Sequence, residues 1–250
     1  MNLLKKLIGK KVYIISPHFD DAMLSCGGLI LQIRSKCNLE IINIFTKAHK
    51  GPYTLSAKRF LEISGSFKDA TVLFKSRNME DKSVFTQLGI KTINLGFEDS
   101  LFRRKTKSKF FGKILPEMNH IYPTYRWHVL GDIKNEENLF NGIRKKLAKF
   151  AKKDEIAIVP SGIGNHVDHL IARELCEKLF KNLVFYSDFP YSLRDIKRRN
   201  FGKEYKTFEL KVNYEEKDKC LRKYKTQYAN LFSFYGGKMP DHKEIFFFKK

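Results

Sequence analysis

The sequence predicts an α/β fold, a Rossmann-like and mainly parallel sheet flanked by helices. Three observations carry this. Short apolar runs recur along the chain, too continuous for strands with one wet face. Stretches with helical spacing fill most of the intervals between them. Titratable residues follow directly on two of the runs, and open α/β sheets bind ligands at the C-terminal ends of their strands.

The elements follow in order. Lys11–Ser16 (KVYIIS) reads as a buried strand, Pro17–Asp21 as a turn, and Ala22–Ser35 as a helix. Leu39–Thr46 (LEIINIFT) is a second strand. Residues 51–74 are ambiguous, with a helix near Ser56–Ser64. Asn78–Leu88 reads as a helix that Gly89 stops as a left-handed cap, and Lys91–Leu95 as a third strand. Residues 96–132 are basic and aromatic with no clear period, the signature of a lid or binding loop. Glu136–Lys152 is helical, Glu155–Pro160 a fourth strand and Val167–Phe180 a helix. Leu183–Ser187 is a fifth strand, Tyr214–Leu231 a helix and Glu244–Phe248 a last strand. No repeat or flexible linker divides the 250 residues, so one domain spanning 1–250 is expected, with an insertion at about 96–132.

Composition narrows the class. Hydrophobic residues make up 42% and aromatics 14%, which excludes a disordered or fibrous chain. No apolar run approaches the roughly 18 residues of a membrane span. Cys26, Cys37, Cys176 and Cys220 form no CxxC pair, which excludes a zinc ribbon and argues against a disulfide framework. MNLLKKLIGKK has only short apolar pieces broken by lysine and no small-residue cleavage site after it, so a signal peptide is not expected and the chain is expected in the cytoplasm. The formal charge of +21 suits anionic partners: phosphorylated or lipid-linked substrates, an anionic membrane surface, or nucleic acid. A lysine-rich composition accounts for it equally well. The basic clusters Arg103–Lys109, Arg144–Lys153 and Arg194–Arg199 are short, and no specific nucleic-acid site is expected.

Two segments carry chemistry. After the first strand, His18 and Asp21 stand three apart; after the fourth, His166 and His169 do so with Asp168 between them. Two imidazoles and a carboxylate make a catalytic zinc set that leaves a position for water. Either segment alone is weak, because histidines at helix starts are often caps or surface residues. Both fall at the binding edge of one sheet, which is stronger evidence. Asp20 is the remaining carboxylate, placed to take a proton from an acidified water, or else to cap the following helix. Adjacent Asp20 and Asp21 on one turn cannot flank a bond as a glycosidase pair does.

Ser16-Pro17-His18-Phe19-Asp20-Asp21-Ala22 with Gly27-Gly28 resembles the PHPDDE…GG motif of the PIG-L/LmbE-like metal-dependent N-acetylglucosaminyl deacetylases, in an HFDDA-type branch. His166-Val167-Asp168-His169 is similar to that family's HPDH. Weaker likenesses follow in order: Arg77-x-x-Glu80, Leu95-Gly96-Phe97-Glu98-Asp99, Asp188-Phe189-Pro190-Tyr191, and Lys217…Tyr224-x-Thr226-Gln227. The resemblance implies a zinc-dependent hydrolase removing acetyl from an N-acetyl amino sugar. It implies metal held by His18, Asp21 and His169, zinc or alternatively ferrous iron or another divalent ion. Asp20 would be general base, His166 would stabilise the oxyanion or protonate the amine, and Asp168 would orient His166. Arg77 and Asp99 would contact sugar hydroxyls. Phe19 and Ala22 depart from the family's proline and glutamate, and Ala22 removes a carboxylate near the metal. The residues before His166 also lack the tyrosine some relatives carry there. Two other readings stand beside this one: an amidase on a larger sugar conjugate, and a binding protein for anionic surfaces or nucleic acid that has kept the fold. The oligomeric state is left open.

Overall fold

The structure is a computed structural model that describes residues 2–105, 111–195 and 201–250. Parts of two basic clusters, at 106–110 and 196–200, lie outside the described residues. The strands are β1 Lys11–Ser16, β2 Asn38–Lys47, β3 Lys91–Glu98, β4 Ile156–Pro160, β5 Asn182–Tyr186, β6 Tyr205–Lys211 and β7 Lys243–Lys249. The helices are α1 Leu3–Leu7, α2 Asp21–Ile33, α3 Leu55–Ile63, α4 Ala70–Gln87, α5 Phe111–Ile114, α6 Pro116–Asn119, α7 Glu137–Leu147, α8 Val167–Leu179, α9 Ser192–Asp195, α10 Tyr214–Leu221 and α11 Tyr228–Leu231.

The seven strands form one sheet in the order β3-β2-β1-β4-β5-β7-β6. The first five are parallel; β7 runs antiparallel to β5, and β6 to β7. Strand direction explains the continuous apolar runs. Along β1, Val12 and Ile14 enter the core under α2, while Tyr13 and Ile15 enter the core under α7 and α8. Both faces are covered, so no position needs to be polar. A third cluster, built on Phe19, Tyr53, Leu73 and Phe102, lies over the strand ends and carries α3 and the start of α4. Strand order reverses between β1 and β4, which opens the crevice in which such sheets bind ligands.

Among the elements that differ from the sequence reading, three bear on how the sheet and the helices around α4 are built. Strand β6 was not expected: it is an edge strand whose outward positions are exposed, so YKTFELK shows no buried run. Helix α4 begins at Ala70 rather than Asn78, where Asp69 accepts a hydrogen bond from the Thr71 N–H. Its buried face includes Arg77 and Asp81, which hid the apolar stripe. The helix expected at Tyr214–Leu231 breaks after Leu221. Tyr224 Oη donates to Asp81 at 3.0 Å, and Thr226 donates twice to Glu80, fixing the break against α4. Gly27 and Gly28 serve close packing. A Cβ at Gly27 would meet Lys217 Cγ at 3.1 Å, and one at Gly28 would meet Val212 at 3.1 Å.

Candidate active site

The turn after β1 and the loop after β4 meet at the switch in strand order. His18 to Asp21 lead into α2, and His166 to His169 open α8. The β4 loop is shaped by Gly162, Gly164 and Asn165, all at positive φ. At Gly164 a Cβ would lie 2.5 Å from Tyr191 Cγ, so only glycine fits between loop and ring.

His18, Asp21 and His169 converge. His18 Nδ1 lies 3.1 Å and His169 Nε2 3.3 Å from the same oxygen, Asp21 Oδ2. The other nitrogen of each ring is held by a carboxylate: His18 Nε2 by Asp168 at 3.0 Å and His169 Nδ1 by Asp188 at 2.7 Å. The donor atoms of the three residues lie within 4.8 Å of one another. Imidazoles steered by outer carboxylates onto one carboxylate oxygen form the donor set of a divalent ion such as zinc, so the residues fit one. His18, His166 and Asp168 make a second cluster of the same span. It fits less well, because Asp168 is already engaged by His18, by the Ser100 N–H at 3.0 Å and by Arg103 Nη1 at 2.6 Å.

Asp168 therefore departs from its expected part. Its carboxylate orients His18 rather than His166. Only its backbone N–H touches His166, donating to Nδ1 at 3.2 Å as a helix cap. That bond puts the proton of a neutral His166 on Nε2. Burial holds the His166 ring well below the usual imidazole range, and the neighbouring His18 and His169 add to this. The His166 ring centroid lies 4.9 Å from that of His18 and 5.2 Å from that of His169.

Asp20 is buried and does not cap α2 with its side chain, so the capping alternative falls away. Burial first, then the Asp21 carboxylate, pushes its pKa up to about 6; Arg77 and His18 pull the other way. Burial opposes the charged ring of His169, but Asp21 and Asp188 outweigh it and raise the pKa to about 10. Asp99, at the end of β3, accepts from the Leu101 N–H at 2.8 Å and brings Oδ2 to 3.5 Å from His18 Nε2. Arg77 reaches the same space from α4, stacked on Phe60 with its buried Nε unpartnered.

His18, Asp20, Asp21, Arg77, Asp99, His166 and His169 line one cleft of about 900 Å³, while Asp168 and Asp188 are not part of its lining. The sequence reading assigned no part to three residues that the structure puts to use. Asp188 accepts from Ser161 Oγ, the Ile163 N–H and His169, tying β4, its loop and α8 together. Arg103 braces Asp168 from beneath, with Glu136 at 2.8 Å on its other side. Tyr191 stands edge-on to His169 with ring centroids 6.1 Å apart. The sequence signal for Asp188 was present: an acid directly after a predicted strand, as Asp20 and Asp21 closely follow the first.

Known proteins resemble this chain in sequence and in fold. Residues 13–180 match the PIG-L family, described as GlcNAc-PI de-N-acetylase. The chain is 24% identical over 244 residues to 2'-N-acetylparomamine deacetylase of Niallia circulans, covering 87% of this chain and 81% of the relative. The Streptomyces fradiae protein of the same name is 25% identical over 195 residues, 76% of this chain and 61% of its own. Among solved structures, a deacetylase of teicoplanin biosynthesis superposes with a TM-score of 0.69 at 20% identity, covering 95% of this chain and 97% of the other. N,N'-diacetylchitobiose deacetylase of Pyrococcus horikoshii follows at 0.54 and 14%, covering 91% and 74%. The chain belongs to the PIG-L, GlcNAc-PI de-N-acetylase, family and is a deacetylase.

Proposed function

We propose that the protein removes the N-acetyl group from an N-acetylated amino sugar carried on a larger conjugate, using a divalent metal, most simply zinc. The observation that carries this is the cleft itself: one carboxylate left uncommitted, Asp20, beside three converged metal donors at the floor of a space far larger than a monosaccharide. His18, Asp21 and His169 would hold the ion. When bound, it supplies Lewis acidity, bringing a water to a pKa of about 7 and polarising the acetyl carbonyl.

The chain's own groups do the rest. Asp20, with a pKa near 6 for want of solvent, accepts a proton from water and remains able to release it near neutral pH. His166 presents Nε2–H toward the cleft, where it stabilises oxyanion charge or delivers a proton to the departing amine. Arg77 and Asp99 supply a donor and an acceptor for sugar hydroxyls. Asp168 and Asp188 hold the two ligand rings in place. The larger conjugate is supported by relatives whose names attach to paromamine and teicoplanin. Phosphorylated or lipid-linked sugars suit the charge of +21. The four cysteines are free, as a cytoplasmic setting requires.

The test is acetate release from N-acetylglucosaminides of increasing aglycone size, wild type beside Asp20→Asn. Release by the wild type, abolished in the variant, is expected. Equal release by both would remove Asp20 as the base. No release from any N-acetyl amino sugar by the metal-loaded protein would remove the substrate class.

A further inference from the structure

Large apolar side chains are exposed around the mouth of the cleft rather than scattered. Leu55 is 74% exposed, Trp127 81% and Phe234 77%, and all three line the cleft together with the exposed Ile63. Helices α5 and α6 extend this surface with exposed Ile114, Leu115 and Met118. Their place beside it is fixed, because the Leu55 N–H donates to Glu117 of α6 at 2.8 Å. The turn bearing Trp127 is tied to the same helix start, where the Tyr125 N–H donates to Ser56 Oγ at 3.3 Å. Seven of the eleven exposed large apolar residues among the described residues thus belong to one rim. Such a concentration marks an interaction surface.

Cations interleave with it: Lys58 and Arg59 on α3, Lys113 on α5, and Arg126 beside Trp127, all exposed. The acids present on the rim are Glu62, paired with Arg59, and Glu117, engaged by the Leu55 N–H. Aromatic and aliphatic groups projecting among cations match the boundary of an anionic bilayer, where rings sit at headgroup level and cations meet lipid phosphate.

We propose that this rim docks the protein on an anionic lipid surface, with the cleft mouth facing the membrane. Docked so, the cleft opens toward headgroups, and a sugar carried on a lipid reaches the floor without leaving the bilayer. The docking deepens the reading of the substrate as a conjugate, but binding is measured without turnover, so the two can fail separately.

Trp127 is the chain's only tryptophan, so its emission reports on the rim alone. The experiment titrates the protein with vesicles of phosphatidylcholine containing phosphatidylglycerol, and with phosphatidylcholine alone. A blue shift of Trp127 and co-sedimentation are expected with the anionic vesicles, weakening at least tenfold on raising salt to 0.5 M. In sedimentation, Leu55→Ser with Phe234→Ser is expected to weaken binding at least tenfold, with the circular dichroism of the wild type. Neither shift nor sedimentation with anionic vesicles would overturn the proposal, as would undiminished binding by the folded double variant. A Trp127 shift with a soluble alkyl glycoside but none with vesicles would also overturn it, and would assign the rim to an apolar aglycone.

Discussion

Two buried clusters of charge lie on either side of helix α2, and they are finished differently. Behind the helix, Lys217 Nζ donates to Glu244 at 2.7 Å, to the Leu24 carbonyl at 2.6 Å and to His242 Nε2 at 2.8 Å. Glu244 accepts in turn from the Gly28 and Leu29 N–H groups at 2.7 and 2.9 Å. Every ammonium proton and both carboxylate oxygens are used. In front of the helix, at the cleft, Asp20 caps nothing, the buried Arg77 Nε has no partner, and the His18 N–H, His18 Nδ1 and His169 Nε2 crowd one oxygen of Asp21. The closed cluster is built for stability; the open one keeps groups available for a ligand at a cost in electrostatic strain.

Changes in the two clusters should therefore separate. Asp20→Asn is expected to lower turnover by about 10²–10⁴-fold, the usual range for a lost general base, while thermal stability holds or rises because repulsion from Asp21 is relieved. Steady-state kinetics beside a melting curve checks both. Lys217→Met should do the reverse, destabilising by about 3–5 kcal/mol in urea unfolding because Glu244 is left buried and unpaired. A variant that unfolds no more easily than wild type would show the pair to be dispensable. A smaller effect is expected at the β4 loop that leads into His166. Gly164→Ala must displace Tyr191 and strain a backbone at φ +90°, and should destabilise by about 1–3 kcal/mol with a fall in activity.

The smallest effect is a pH slope. His242 stacks on Phe189 with centroids 3.9 Å apart, and burial, helped by Lys217, pushes its pKa down to about 3. The unfolded chain binds a proton near pH 6.5 that the folded ring refuses. Stability from this group is therefore present above pH 6.5 and lost as pH falls toward 3. Urea unfolding at pH 7 and pH 5 should show a smaller loss in His242→Gln than in wild type; equal losses would place the proton elsewhere.

The sequence shows the parts that depend on local pattern. The runs at β1, β2, β4 and β5 are apolar because both sheet faces are covered, so periodicity alone finds them. His18, Asp20, Asp21, His166 and His169 are legible because each follows such a run. What stayed hidden depends on partners distant in sequence. Asp168 was assigned to its neighbour His166, but its side chain crosses the crevice to His18, 150 positions away. Arg103, bracing that carboxylate, sits in a segment with no period. Tyr224 and Thr226 carry helical spacing and still leave the helix, because Asp81 and Glu80 hold them.

On this reading the open cluster is a metal centre held by His18, Asp21 and His169. Elemental analysis of protein purified without chelator and supplied with zinc tests it most directly, with wild type, Asp20→Asn and His169→Ala side by side. About one ion per chain is expected in the first two and little in the third. Retention of the ion by folded His169→Ala, or no ion in wild type, would contradict the assignment.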